Sequence, residues 1–195
     1  MPHLIDFDSI DDKIFSILHL CGGSVVVCNQ YKIGRRSGAF NPYEWGEYCV
    51  RLKSIVSNNL IEIAIKCRMF EDVIKYELNE DDILAPEGID LKKKDKEARA
   101  GLNIGEFEKR RGTLTLRESF NKIVHATEAK LVWVGSEDAE AGVEWWDGTY
   151  ALFGRRGSEA WNIELGVADW CLAVRKYLHA LHSDIEWKYI DRRDE

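Results

Sequence analysis

The sequence predicts an α+β fold, mainly helical, with a small three-stranded antiparallel sheet in its C-terminal half. Three observations predict it. Apolar residues recur at spacings of three and four along residues 43 to 79. The apolar period drops toward two after Lys130. Helical spacing returns from Val167 onward. A chain of 195 residues, 45% hydrophobic with seven tryptophans, is expected to form one domain over 1–195. At that size about 70% of the extended surface can be buried without disulfide or metal.

The first element is a short helix in "IDDKIFSILHL", residues 10 to 20, where Ile10, Ile14, Ile17 and Leu18 share one face. The Gly22, Gly23 pair predicts its end, and Val25, Val26 and Val27 favour a strand or buried edge. "NQYKIGRRSGAFNP" reads as a loop. A long helix over 43–79 follows, with Trp45, Tyr48, Leu52, Ile55, Val56, Ile63, Cys67, Phe70 and Ile74 on its apolar stripe. The Ser57, Asn58, Asn59 run is a candidate break. A "PEG" turn then leads to a charged helix from Leu91 to Ala100, whose interleaved lysines and acids mark a solvated face.

Thr115 and Glu118 form a T-x-x-E capping box that opens a helix over 115–127. Leu116, Phe120, Ile123 and Val124 define its buried arc. The strand meander over 130–166 consists of "KLVWVG", then "WWDGTYALFG" as a turn followed by a strand, then "EAWNIELG". "VGSEDAEAGVEWWDG" reads as a polar loop whose Trp145 and Trp146 either cover the sheet or make an exposed contact. A C-terminal helix over 167–190 carries Val167, Trp170, Cys171, Val174, Leu178, Leu181 and Ile185 at helical spacing.

Composition removes several function classes. A net charge of -7 and a pI near 5.4 weigh against nonspecific DNA binding, which needs a broad cationic face. Arginine pairs at 35–36, 110–111 and 155–156 leave local cationic patches open, and their convergence in space decides their weight. The five cysteines, odd in number and widely spaced, read as free thiols of a reducing compartment. The N-terminus has no basic region before an apolar run, and the longest apolar runs fall short of about 18 residues. A cytoplasmic chain without membrane contact is expected.

No G-x-S-x-G, H-E-x-x-H, Cys-x-x-Cys or P-loop pattern is present. His179 and His182 are three apart but lack a carboxylate or cysteine at ligand spacing, so neither metal nor cofactor is expected. Asp6, Asp8, Asp11 and Asp12 read as a solvated cap.

Arg117, Asn121 and His125 stand four residues apart and form a polar stripe beside the buried arc of their helix. Histidine exchanges protons near neutrality, arginine holds a phosphate through its fork of donors, and asparagine orients an imidazole or a ribose hydroxyl. Those roles suffice for metal-independent RNA cleavage by attack of a 2′-hydroxyl, with two such helices pairing in a symmetric homodimer. The segment "RESFNKIVH", set in a mostly helical chain after a long helix, resembles the motif region of the HEPN superfamily. The resemblance implies an RNA-directed effector, including an endoribonuclease of a toxin or defence system with a protein partner such as an antitoxin. Asn121 and His125 match that family's N-x-x-x-H spacing. Phe120 stands where the family has its arginine, and Arg117 lies eight residues before His125. The other reading is a noncatalytic protein-interaction module, in which the three side chains serve the fold and "EWWDG" is the contact surface.

Overall fold

A computed structural model describes residues 6–35, 44–77, 89–107, 113–135 and 142–185. Among the described residues, five helices and four strands follow in the order α1 (Phe7–Tyr31), α2 (Trp45–Glu77), α3 (Leu91–Ala98), β1 (Glu106–Phe107), α4 (Leu116–His125), β2 (Glu128–Gly135), β3 (Glu144–Arg156), β4 (Glu159–Gly166) and α5 (Val167–Asp184). The α+β class and the C-terminal position of the sheet stand as the sequence predicts.

α1 corrects the reading of the N-terminal region. It runs unbroken through Gly22 and Gly23 and includes the valines assigned to a strand. Two helical glycines cost roughly 1 kcal/mol each relative to alanine. Burial of Ile10, Ile14 and Ile17 before the pair, and of Ser24 and Cys28 after it, outweighs that cost. Asp6 caps the start by accepting from the Ser9 amide at 2.9 Å, as the acidic cluster suggested. The end is a left-handed Lys32 at φ 55°, whose amide reaches the Cys28 carbonyl.

α2 is one helix of 33 residues, and Ser57, Asn58 and Asn59 do not interrupt it. It lies antiparallel to α1: Lys66 Nζ donates to Ser9 Oγ at 3.0 Å, and Lys13 pairs with Glu62 at 3.1 Å. α4 packs along its C-terminal half, while α5 packs against α1 and α3. The predicted capping box is present, with Thr115 accepting from the Glu118 amide at 3.1 Å.

The sheet has the order β1-β4-β3-β2, all antiparallel. The three predicted strands form the meander, and the two-residue β1 adds an edge that its length hid from any periodicity argument. "WWDG" is not a turn. It belongs to β3, where the pairing slips between Leu131 and Trp133. Asp147 Oδ1 accepts from the Thr149 amide at 2.7 Å and Gly148 takes φ 90°, so the Asp-Gly chemistry of a turn makes a bulge inside a strand.

The main core joins Ile10, Ile14 and Ile17 of α1 to Leu60, Ile63 and Cys67 of α2, Phe120 of α4, Leu152 and Ile163 of the sheet, and Trp170 and Val174 of α5. Trp146 is buried within it and donates Nε1 to the Thr149 carbonyl at 2.7 Å. A smaller cluster of Cys28, Ile33 and Val143 takes Trp45 and Trp145 as its cover. "EWWDG" is therefore core and cover, and the contact-surface reading of Trp146 is withdrawn because its ring has no exposed face. By length and composition α1 is apolar enough to cross a membrane, with mean hydropathy 1.3 over its best window. Its buried face contributes Ile10, Ile14 and Ile17 to the shared core.

Candidate functional site

Arg117, Asn121 and His125 lie along one side of α4, as their spacing requires, but their surroundings differ. Arg117 Nη1 stands 2.8 Å from Glu71 Oε2, its Nη2 donates to Asp72 Oδ1 at 3.0 Å, and the guanidinium also reaches the Arg68 carbonyl at 3.4 Å. Glu71 is only 4% exposed. Its other oxygen accepts from the Tyr177 hydroxyl of α5 at 3.3 Å. Burial pushes the Glu71 carboxyl above its ordinary range, against the opposing pull of Arg117 and Lys75. Tyr177 is pushed up by burial and by the adjoining carboxylate.

This network ties α4 and α5 to the C-terminal half of α2. Two carboxylates already face the guanidinium, which is thereby committed to an ion pair within the fold. Asn121 is half-buried and His125 exposed, and neither has a hydrogen-bond partner among the described residues. The structure thus keeps the stripe on one face of α4 and assigns its first member to a structural ion pair.

Among the described residues, Arg35 does not converge with Arg155 and Arg156. Arg35 pairs with Glu144 at 3.2 Å and lies over the Trp45 ring, at the start of β3. Arg155 and Arg156 are exposed at the other end of the same strand, roughly 36 Å away at 3.3 Å per residue. The pair at 110–111 lies outside the described residues. Beside the C-terminal turn of α4, Lys122 Nζ sits 3.9 Å from the centre of the Trp161 ring. That ring fills the space above Gly154, where a Cβ would collide with it.

His179 and His182 line a groove of about 560 Å³ between α5 and the first turns of α1, with Phe7, Asp8, Asp11 and Arg175. Arg175 faces Asp11 at 3.4 Å, and His182 meets the Phe7 ring edge-on at 5.1 Å. Among the described residues no three His, Cys, Asp or Glu side chains are placed to hold a metal ion. Burial raises all five thiols: Cys21 is pushed up to about 12 and Cys49 to about 11, and Cys28, Cys67 and Cys171 also rise. Thiols so held are poor nucleophiles.

The sequence reading missed Glu71 and Ser119. Each stands on the apolar arc of its helix, Glu71 between Cys67 and Ile74 and Ser119 between Leu116 and Ile123, and a polar residue in such a place needs a buried partner. Ser119 has one on each side: it donates to the Leu116 carbonyl at 2.7 Å and accepts from Trp170 Nε1 at 2.8 Å.

The largest unexplained feature lies on the side of α2 that faces away from the core. Among the described residues ten large hydrophobic side chains are exposed, and nine of them are on α1 or α2. On α2, Val50, Ile61, Ile65 and Met69 are 69%, 41%, 43% and 40% exposed. With Ser54 and Asn58 they occupy one arc of roughly 100°. On α1, Phe15, His19, Gly22 and Val26 occupy a similar arc, with Phe15 64% exposed. The two helices share one core and lie side by side, so the two arcs form a single outer surface. No protein-family model, curated protein or solved structure matches this chain.

Proposed function

We propose that this chain is a noncatalytic protein-interaction module that docks through the outer surface of α1 and α2. The observation that carries the reading is six exposed large apolar side chains, Phe15 and Val26 of α1 with Val50, Ile61, Ile65 and Met69 of α2, gathered on one outer surface. Contiguous apolar patches beyond a few hundred Å² mark interaction sites in soluble proteins. The Lys13, Glu62, Lys66 contacts run in the seam between the two helices, and the Glu47, Arg51 pair lies at the Val50 end of the patch.

A photo-crosslinking residue placed at position 61 in cells tests this, with position 155 as control. The module reading expects protein adducts at 61 that disappear when Ile65→Asp is added, and none at 155. Absence of adducts at 61 in a folded, expressed protein would refute it.

A second reading retains the RNA-directed effector with HEPN resemblance, in which Asn121 and His125 act in metal-independent RNA cleavage. What favours it is that both side chains are free of partners among the described residues, with His125 exposed at the helix end. Arg117 would then have to leave Glu71 and Asp72 to contact phosphate. Wild type and His125→Ala, incubated with a mixed RNA pool in EDTA, decide the matter: cleavage lost only in the variant supports this reading, and equal silence rejects it.

A further inference from the structure

We infer that the occupant of the α1 and α2 surface is a second copy of this chain, related by a twofold axis that passes between Asn58 and Ile61. The inference rests on the docking reading above and names its partner. Three features carry it.

The first is the spacing of the α2 arc. Val50, Ser54, Asn58, Ile61, Ile65 and Met69 read four, four, three, four, four in either direction. A stripe symmetric about its own centre is self-complementary when a second helix lies across it antiparallel, as a twofold interface requires. Val50 of one copy then meets Met69 of the other, Ser54 meets Ile65 and Asn58 meets Ile61. Each pair sets a smaller or polar side chain against a larger one, so knobs find spaces.

The second is the placement of α1. Lys66 contacts Ser9 and Lys13 contacts Glu62, which brings the centre of the α2 arc level with Phe15. The same axis stacks Phe15 on its counterpart. It also sets exposed Asp12 of one copy beside exposed His19 of the other on both sides of the axis.

The third is area. From Val50 to Met69 the helix rises about 29 Å, and two adjacent helices are about 20 Å wide. The footprint of about 600 Å² approaches the roughly 800 Å² per partner of an ordinary stable interface. Such a dimer keeps the two α4 helices at opposite ends of the interface, because Arg117 holds Glu71 and Asp72 beyond Met69, about 18 Å along α2 from the axis. It therefore does not pair two α4 stripes around one phosphate.

Sedimentation equilibrium at tens of micromolar tests the inference, on wild type, Ile61→Asp, Phe15→Glu and the exposed control Leu172→Asp, each with helicity verified by circular dichroism. The expected result is a dimer for wild type and Leu172→Asp, and at least a tenfold weaker association for the two variants on the surface. A dimer that persists in both of those variants overturns the inference, since another surface would hold it. A wild-type monomer at 100 µM also overturns it, and the adducts at position 61 then report separately whether a different protein docks there. Flotation with phosphatidylcholine vesicles runs in parallel: co-flotation abolished by Phe15→Glu assigns the surface to lipid and overturns the inference as well.

Discussion

At the scale of single residues, Arg117 does what the fold needs before it does anything else. Its guanidinium compensates a carboxylate that α2 carries on its apolar face, and the Tyr177 hydroxyl completes the contact from α5. Truncating one partner of a buried pair costs several kcal/mol, while exposed pairs are worth little. With Arg117 about one-third exposed and Glu71 enclosed, Arg117→Ala is expected to lose roughly 2 kcal/mol in urea unfolding. A loss within error of zero would contradict the structural role. The raised pKa of Glu71 makes a separate prediction. The folded carboxyl keeps its proton to higher pH than the unfolded one, so between those two pKa values the folded state binds more protons. Stability contributed by this group is greatest below the ordinary carboxylate range and falls as pH rises through the folded value. The stability of wild type relative to Glu71→Gln should therefore be higher at pH 4 than at pH 7. A difference that grows with pH would reverse the assignment. The sequence displayed the three members of the α4 stripe and their common face. It did not disclose that Arg117 was already taken, because the partner acids lie more than forty residues away and were hidden in a helix read only for its apolar stripe.

Elements were legible where periodicity was long and illegible where a local signal was outvoted by packing. α2, α4 and α5 follow their apolar stripes, and the capping box of α4 is where the pattern placed it. The two failures share one cause. Gly22 and Gly23 signal a helix end, and Asp147 and Gly148 signal a turn, but in both places burial on either side holds the regular element through the irregular residues. Gly23 has nothing within 4 Å of an added Cβ. Gly23→Ala should thus stabilise the protein by about 0.5–1 kcal/mol, seen as a higher urea midpoint with an unchanged slope. If α1 were broken at that point, the substitution would give no gain. Gly154 behaves oppositely. Its absent side chain leaves room for Trp161, which in turn carries Lys122. Gly154→Ala is expected to cost about 1–3 kcal/mol by displacing that ring, with a change in tryptophan fluorescence of the native state. An unaltered spectrum and midpoint would mean that the ring moves aside freely.

On the scale of the whole molecule, α2 carries two features of different character: the ion pairs near its C-terminal end that fasten α4 and α5, and the apolar outer surface that it shares with α1. The α2 stripe read from the sequence included Ile55, which is 45% exposed, alongside residues of the true core. A 33-residue helix with apolar residues on more than one side has partners for only part of its circumference, and sequence spacing alone does not say which part. The tertiary contacts separate the two: Leu60, Ile63 and Cys67 are enclosed, while Ile61 and Ile65 face outward. That separation is the basis for assigning binding to this surface rather than to α4. Hydroxyl-radical footprinting compares side-chain oxidation in cells with that of the isolated protein diluted to a non-associating concentration. The account predicts that Phe15, Ile61, Ile65 and Met69 are protected several-fold in cells while Leu172 and Trp161 react equally in both. Equal oxidation of the four outer residues in the two settings, or protection confined to His125 and its neighbours, would contradict it.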